Sequence, residues 1–273
     1  MKITFLGGGN MASALIGGML RQGFAAADIQ VVELLQAGRE RLQTEFGVRV
    51  VDGLDAQALD CDVLVLAVKP QQMRMALAPV VGQLVRQLVV SIAAGLRLED
   101  LSRWLGGYTT LVRAMPNTPA LVGMGITGLY ADQSVSDAGR AAVSRIMQAV
   151  GSSVWLDDEA QMDAVTAISG SGPAYVFYFI EALQAAGENL GLSAETARAL
   201  ALETMVGAAT LAVRSEDSAA VLRERVTSKG GTTEAALRSM AGDGLPAIIE
   251  RATAAAAARG AELGVQLGRD DTD

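Results

Sequence analysis

No histidine occurs anywhere in the 273-residue chain. Its absence removes imidazole general acids, histidine-dependent triads and nearly all zinc sites, so no metal is expected. There is one cysteine, Cys61. It can form no internal disulfide, and its place just before an apolar run suits a buried structural thiol. Lysine is almost as scarce, with Lys2, Lys69 and Lys229 only, and the formal net charge is −8. The chain therefore lacks the basic run that a nucleic acid or an anionic membrane surface requires. The opening KITFLGGGN has no basic n-region, long apolar core or small-residue cleavage site. We expect a cytoplasmic protein without membrane or nucleic-acid partners. Residues 114–131 and 164–180 are uncharged over nearly the length of a membrane span, but Gly and Pro interrupt both, as in MPNTPALVGMG and SGSGPAY. They read as loops and buried elements.

What is present is apolar: 51% of residues, against 19% charged. That is ample material for a core, and the length suggests about two domains of ~100–200 residues each. Through residue 156, short β-branched runs (KITFL, IQVVE, VRVV, DVLVLAV, LVVSI, TTLVRAM) alternate with helical patterns at 11–21, 39–46, 73–84 and 98–105. A further strand near 125–130, a helix over 136–150 and a strand SVWL (153–156) follow. Such alternation predicts parallel βαβ units, a Rossmann-type doubly wound α/β domain. From Glu159 onward Ala, Leu, Met and Glu recur at helical spacing, over 159–168, 173–189, 193–213, 219–226, 233–241 and 245–263. The second part is therefore all-α. The expected division is 1–158 and 159–273, with the boundary in 157–162. Ser193 is the expected cap of one long helix, and Ser171 with Pro173 the start of another. The terminal GRDDTD reads as a disordered tail.

FLGGGNMASAL places Gly7-x-Gly9-x-x-Ala12 between the first strand and the first helix. Gly7 permits the tight turn, Gly9 lets a pyrophosphate approach the backbone, and Ala12 allows close helix packing. The dinucleotide site is thus assigned to Leu6, Gly7, Gly8, Gly9, Asn10, Met11 and Ala12, the alternative being a tight turn without ligand. Glu33 ends the second strand, where a residue reading the adenosine ribose belongs. A carboxylate there accepts ribose hydroxyls and repels a 2′-phosphate, so Glu33 alone argues for NAD(H). Arg39 and Arg41 follow, within reach of a phosphate or else on the solvated face of a helix. Further contacts should come from loops after other strands: Ala67, Val68, Lys69 and Pro70 in AVKPQ, and Asn117 in MPNTP, each with a structural alternative.

In the helical part, VTSKGGTTEAAL (226–237) concentrates two adjacent glycines, three threonines, a serine and a lysine in one loop. A helix beginning near Thr232 would point unpaired amides at a small anion such as a substrate carboxylate, and a plain helix cap would explain only part of the cluster.

Taken in order, FLGGGNMASALIGG, AVKPQ, VRAMPNTPALVGMG, AISGSGPAYVFYFIEAL and VTSKGGTTEAAL resemble the pyrroline-5-carboxylate reductases across nearly the whole chain. The resemblance implies reduction of a cyclic imine to proline, with NADP(H) as the usual cofactor where Glu33 points to NAD(H). It implies a homodimer interlocked through helical domains, which some members assemble into decameric rings. It puts the substrate carboxylate near Gly230, Gly231 and Thr232, the Thr233 hydroxyl near the ring nitrogen, and Glu216 near the substrate amine. The missing histidine fits: an imine protonated near neutrality accepts hydride without a strong acid, so Thr233 would orient or relay rather than act as a general acid. A β-hydroxyacid dehydrogenase would carry a catalytic lysine on the first helix of its second domain, and 174–189 has none. A regulatory protein that binds NAD(P) without turnover would have no need of a second ligand loop.

Overall fold

The computed structural model describes residues 1–269. Eight strands form one sheet: β1 (Ile3–Leu6), β2 (Ile29–Val32), β3 (Arg49–Val51), β4 (Val63–Leu66), β5 (Leu88–Ser91), β6 (Leu111–Met115), β7 (Gly125–Ala131) and β8 (Gly151–Trp155). Their order is β3-β2-β1-β4-β5-β6-β7-β8. In the middle, Phe5 pairs with Val31 on one side and with Val65 on the other, both parallel. The chain reverses its winding at β1/β4, the switch point where doubly wound sheets open their ligand crevice.

Alternating side chains feed two core layers, as a sheet covered on both faces requires. Val63 and Val65 of β4 join Phe5, Leu15 and Ile146 in one layer, while Leu64 and Leu66 join Met73, Leu77 and Leu101 in the other. Each such fully buried side chain contributes roughly 1.5–3 kcal/mol. The covering helices are α1 (Asn10–Arg21), α2 (Gln36–Phe46), α3 (Pro70–Leu77), α4 (Leu98–Trp104) and α5 (Asp137–Gln148).

Two departures from the sequence reading have simple causes. Strand β7 runs antiparallel to β6, because only residues 116–124 join them and a parallel return needs a crossover of about a dozen residues or more. The helix expected over 73–84 starts earlier, at Pro70, and stops at Leu77, before a 3₁₀ turn over Ala78–Val80. Proline suits the first helical position at Pro70 and breaks the helix at Pro79.

The helical part comprises α6 (Gln161–Val165), a π turn (Thr166–Gly170), α7 (Gly172–Asn189), α8 (Ala194–Arg214), α9 (Ala219–Arg225), α10 (Thr232–Gly242) and α11 (Leu245–Gly268). Ser193 caps α8 as expected, accepting the Thr196 amide. Ser171 does not cap α7. Its backbone is helical (φ −85°, ψ −21°), since the π turn leads directly into that helix.

The chain divides into two compact units, one of Met1–Ser171 with the chain from Ala255 onward, the other Gly172–Ala254. By packing, then, α6, the π turn and the end of α11 belong with the sheet. Gly264 of α11 lies so close to Gly95 that a Cβ there would stand 2.8 Å from the Gly95 carbonyl oxygen. Arg103 donates to the Gly268 carbonyl and to Asp100. The tail expected at 268–273 thus begins inside a helix at Gly268, and its last four residues lie outside those described.

Candidate functional site

The glycine loop follows β1 directly. Gly7 has φ +99°, and a Cβ there would come within 2.9 Å of the Ala67 carbonyl oxygen, so only glycine serves. Its amide donates to Val32 on the β2 side, and the Ala67 amide donates to Leu6 across the switch point. Gly9 stands at the N-cap of α1 without a side chain to cap the helix, and no acidic residue occupies the first turn. A Cβ at Gly9 would meet nothing within 4 Å. The result is an open cradle facing uncompensated helix amides, which fits a pyrophosphate. Behind it, Ala12 is buried.

Glu33 stands just past β2. Its Oε2 accepts the Gly8 amide at 3.2 Å and its Oε1 the Leu35 amide at 3.0 Å. Arg39 donates through Nη1 to the carbonyls of Glu33 (2.8 Å) and Leu34 (2.7 Å). Arg41 donates to the Gly8 carbonyl at 2.7 Å and to Ser13 Oγ at 3.2 Å. Arg41 thus touches the glycine loop while staying exposed and pairing with Glu45 at 3.3 Å along the helix, whereas Arg39 folds over the carbonyls that follow β2.

At the opposite end of the crevice, Ala67, Val68 and Lys69 lead into α3, with Lys69 exposed at its N-cap in extended backbone. Asn117 is 9% exposed. Its amide nitrogen donates to the Ser169 carbonyl (3.1 Å) and its oxygen accepts the Ile126 amide (3.0 Å). The side chain so ties the MPNTP loop to the π turn, and the Ser169 carbonyl is a partner the sequence did not reveal. π turns release backbone carbonyls in this way and recur at functional sites. Equally unforeseen is Arg113, 4% exposed on β6. It pairs with Glu159 at 3.1 Å, and the same Oε1 caps α4 by accepting the Leu98 amide at 2.9 Å.

In the second unit, Gly230 adopts φ +74°, and its amide donates to Glu234 Oε2 at 2.6 Å. The Gly231 amide donates to the Ser228 carbonyl at 3.0 Å. Gly231 is the N-cap of α10 and brings no side-chain cap. With these two amides used inside the loop, the opening amides of α10, on Thr232, Thr233 and Glu234, are the donors left for an anion. Glu234 is a further residue missed from sequence, although its place three residues after the N-cap is that of the acid in a capping box. Glu216 is exposed on the connection between α8 and α9, while its neighbour Asp217 pairs with Arg225 at 2.5 Å.

Helix α7 buries none of its residues within this chain and α8 only Ala197 and Ala201. Phe177, Tyr178 and Val213 are 66%, 73% and 86% exposed. Among the described residues α8 is the one helix long and apolar enough to cross a membrane, and no group of three or more Cys, Asp or Glu side chains is placed to hold a metal.

A family model described as pyrroline-5-carboxylate reductase dimerisation matches residues 159–263, and one described as NADP oxidoreductase coenzyme F420-dependent matches residues 2–95. The chain is 49% identical over 271 residues to a pyrroline-5-carboxylate reductase of Pseudomonas aeruginosa, covering 98% of each. It is 39% identical to that of Vibrio alginolyticus, over 96% of this chain and 97% of the relative. Among solved structures, the Coxiella burnetii pyrroline-5-carboxylate reductase superposes with a TM-score of 0.92 at 40% identity, covering 96% of this chain and 98% of that one. A Plasmodium falciparum pyrroline carboxylate reductase with NADP bound gives 0.85 at 30% identity, over 97% and 98%.

Proposed function

The chain belongs to the pyrroline-5-carboxylate reductase family, and on that premise we propose that its two ligand loops serve one reaction, the reduction of the cyclic imine 1-pyrroline-5-carboxylate to L-proline with NAD(P)H. The observation that carries this reading is the 49% identity over 98% of the chain. The open cradle at Gly9 supports it independently.

When bound, the reduced nicotinamide supplies the hydride that adds to the imine carbon. The remaining work falls to the chain. The stretch Leu6 to Ala12 holds the pyrophosphate, with Gly9 and the first amides of α1 as donors. Ala67, Val68, Lys69 and Pro70 flank the nicotinamide end, where Asn117 braces the wall through Ser169. The substrate carboxylate docks on the Thr232 and Thr233 amides, with Gly230 and Gly231 giving it close access. The Thr233 hydroxyl oxygen accepts the N–H of the protonated ring nitrogen, fixing its orientation for hydride transfer. A hydroxyl is too weak an acid to do more, and an imine already protonated near neutrality requires no more. We place the exposed carboxylate of Glu216 on the amine side of the ring, where it favours the cationic form.

The working unit in this reading is a homodimer in which α7 and α8 of two chains cover one another in a helical dimerisation and substrate domain over 159–273. The exposed apolar side chains on these helices form a face that water tolerates poorly. The length and hydropathy of α8 then reflect an interface, and the protein resides in the cytoplasm. Association of such dimers into a decameric ring is a further step, which the sedimentation coefficient would report.

Mixing the protein with NADPH or NADH and the imine acid, and following nicotinamide absorbance, tests the function. Oxidation that requires both enzyme and imine is expected. Cofactor binding without turnover would favour a regulatory protein, and turnover only with a hydroxy acid would favour a β-hydroxyacid dehydrogenase.

A further inference from the structure

Glu33 occupies the ribose-reading position, yet its carboxylate turns back toward the glycine loop. Each oxygen accepts a backbone amide, Gly8 at 3.2 Å and Leu35 at 3.0 Å. Gly38 makes this posture possible. A Cβ at residue 38 would lie 2.8 Å from Glu33 Cγ and 3.1 Å from Cδ, so any side chain there would push Glu33 out of place. The Gly8 peptide is grasped from its other end by Arg41, whose Nη2 donates to the carbonyl at 2.7 Å. Glu33 and Arg41 together fix the loop that must receive the pyrophosphate.

Arg39 lies in the first turns of α2. Its Nη1 is anchored on the carbonyls of Glu33 and Leu34, and a guanidinium carries five N–H donors in a rigid fork. Nε and Nη2 therefore have donors to spare in a geometry suited to phosphate. Beside it lies a cleft of about 480 Å³, lined by Arg39 with Gln36, Glu40, Gln43 and Asp52 among others, which leaves room for a bulky group. Of its two acids, Glu40 is engaged by the Gln36 amide at 2.8 Å. A carboxylate with an amide on each oxygen, flanked by Arg41 on the Gly8 carbonyl and Arg39 on the carbonyls that follow β2, is a poor barrier to a 2′-phosphate.

We infer that Arg39 is the specificity-determining residue, receiving the 2′-phosphate of NADP(H), and that Glu33 is a positioning residue for the glycine loop, held in that role by Gly38. The inference rests on the dinucleotide reading of residues 7–12.

Direct titration of the intact protein with NADPH and with NADH, followed by nicotinamide fluorescence, tests it without turnover. The wild type should bind NADPH at least about 10-fold more tightly. Arg39→Met should weaken NADPH about 10–100-fold, the loss of a charge-assisted contact, and NADH less than about 2-fold. Glu33→Gln and Gly38→Ala should weaken both cofactors in parallel, because each acts through the shared loop. The assignment is overturned if the wild type prefers NADH, if Arg39→Met weakens both equally, or if Glu33→Gln shifts the ratio toward NADPH in a protein of unchanged circular dichroism. Failure of the wild type to bind either cofactor would overturn the dinucleotide site, and this assignment with it.

Discussion

The Arg113 guanidinium on β6 meets the Glu159 carboxylate at 3.1 Å, with 5% and 24% of their side chains exposed. Two distant segments are joined by one charge pair, and the same carboxylate oxygen caps α4 through the Leu98 amide. Removing one partner of such a pair leaves a buried charge whose desolvation is no longer offset. Glu159→Ala should destabilise the protein by about 3 kcal/mol in urea unfolding, the lower end of the usual range because the carboxylate is partly solvated. Glu159→Gln, which keeps an acceptor for Leu98, should lose less. Equal losses in the two variants would show that the charge contributes nothing.

Gly7 and Gly9 should respond in opposite ways. A side chain at Gly9 meets open space at an ordinary φ of −70°, so Gly9→Val should fold normally and lose cofactor binding, since the valine fills the pyrophosphate cradle. Gly7→Ala meets both positive φ and the Ala67 carbonyl, and should lower stability by roughly 1–3 kcal/mol. Paired thermal melts and cofactor titrations separate the two effects. A folded Gly9→Val with unchanged affinity would remove the pyrophosphate from this loop.

Thr233→Ala deletes the hydroxyl while leaving the α10 amides in place. Turnover should fall more than binding, with a loss of about 10–100-fold in kcat/KM, since each tenfold corresponds to ~1.4 kcal/mol of barrier. The defect should shrink at lower pH, where more imine arrives protonated. Gly231→Val, by contrast, should raise KM at every pH. Its Cβ would lie 3.0 Å from the Ser228 carbonyl oxygen, so the valine both reshapes the loop and crowds the anion. Wild-type pH–rate profiles for both variants would return residues 228–233 to the role of a helix connection.

Burial pushes the Cys61 thiol above its ordinary range, an effect that hydrogen bonding to Thr4 only partly offsets. The folded protein should therefore react slowly with a thiol-specific disulfide reagent at neutral pH and rapidly once unfolded. The raised value also has a stability consequence. The contribution is complete below the unfolded thiol's pKa and is lost as pH rises through the folded one, because the unfolded chain ionises first. Fast labelling under native conditions would contradict the burial.

All eight strands, the glycine fingerprint and the long helices were legible in the sequence, because strand alternation, helical period and capping act within a few residues of the chain. Gly7 and Gly9 could be identified for the same reason, since a tight turn between strand and helix states its own chemistry. The antiparallel β6–β7 pair, the helical backbone at Ser171 and the inward turn of Glu33 were not legible. Each depends on what packs against it from elsewhere: Gly8 lies 25 residues from Glu33, Arg113 46 from Glu159, and Asn117 52 from the Ser169 carbonyl. A carboxylate at the end of a strand has the same local signature whether it faces a ribose or an amide. Only the folded chain, by bringing Gly38 against Glu33, chose between them.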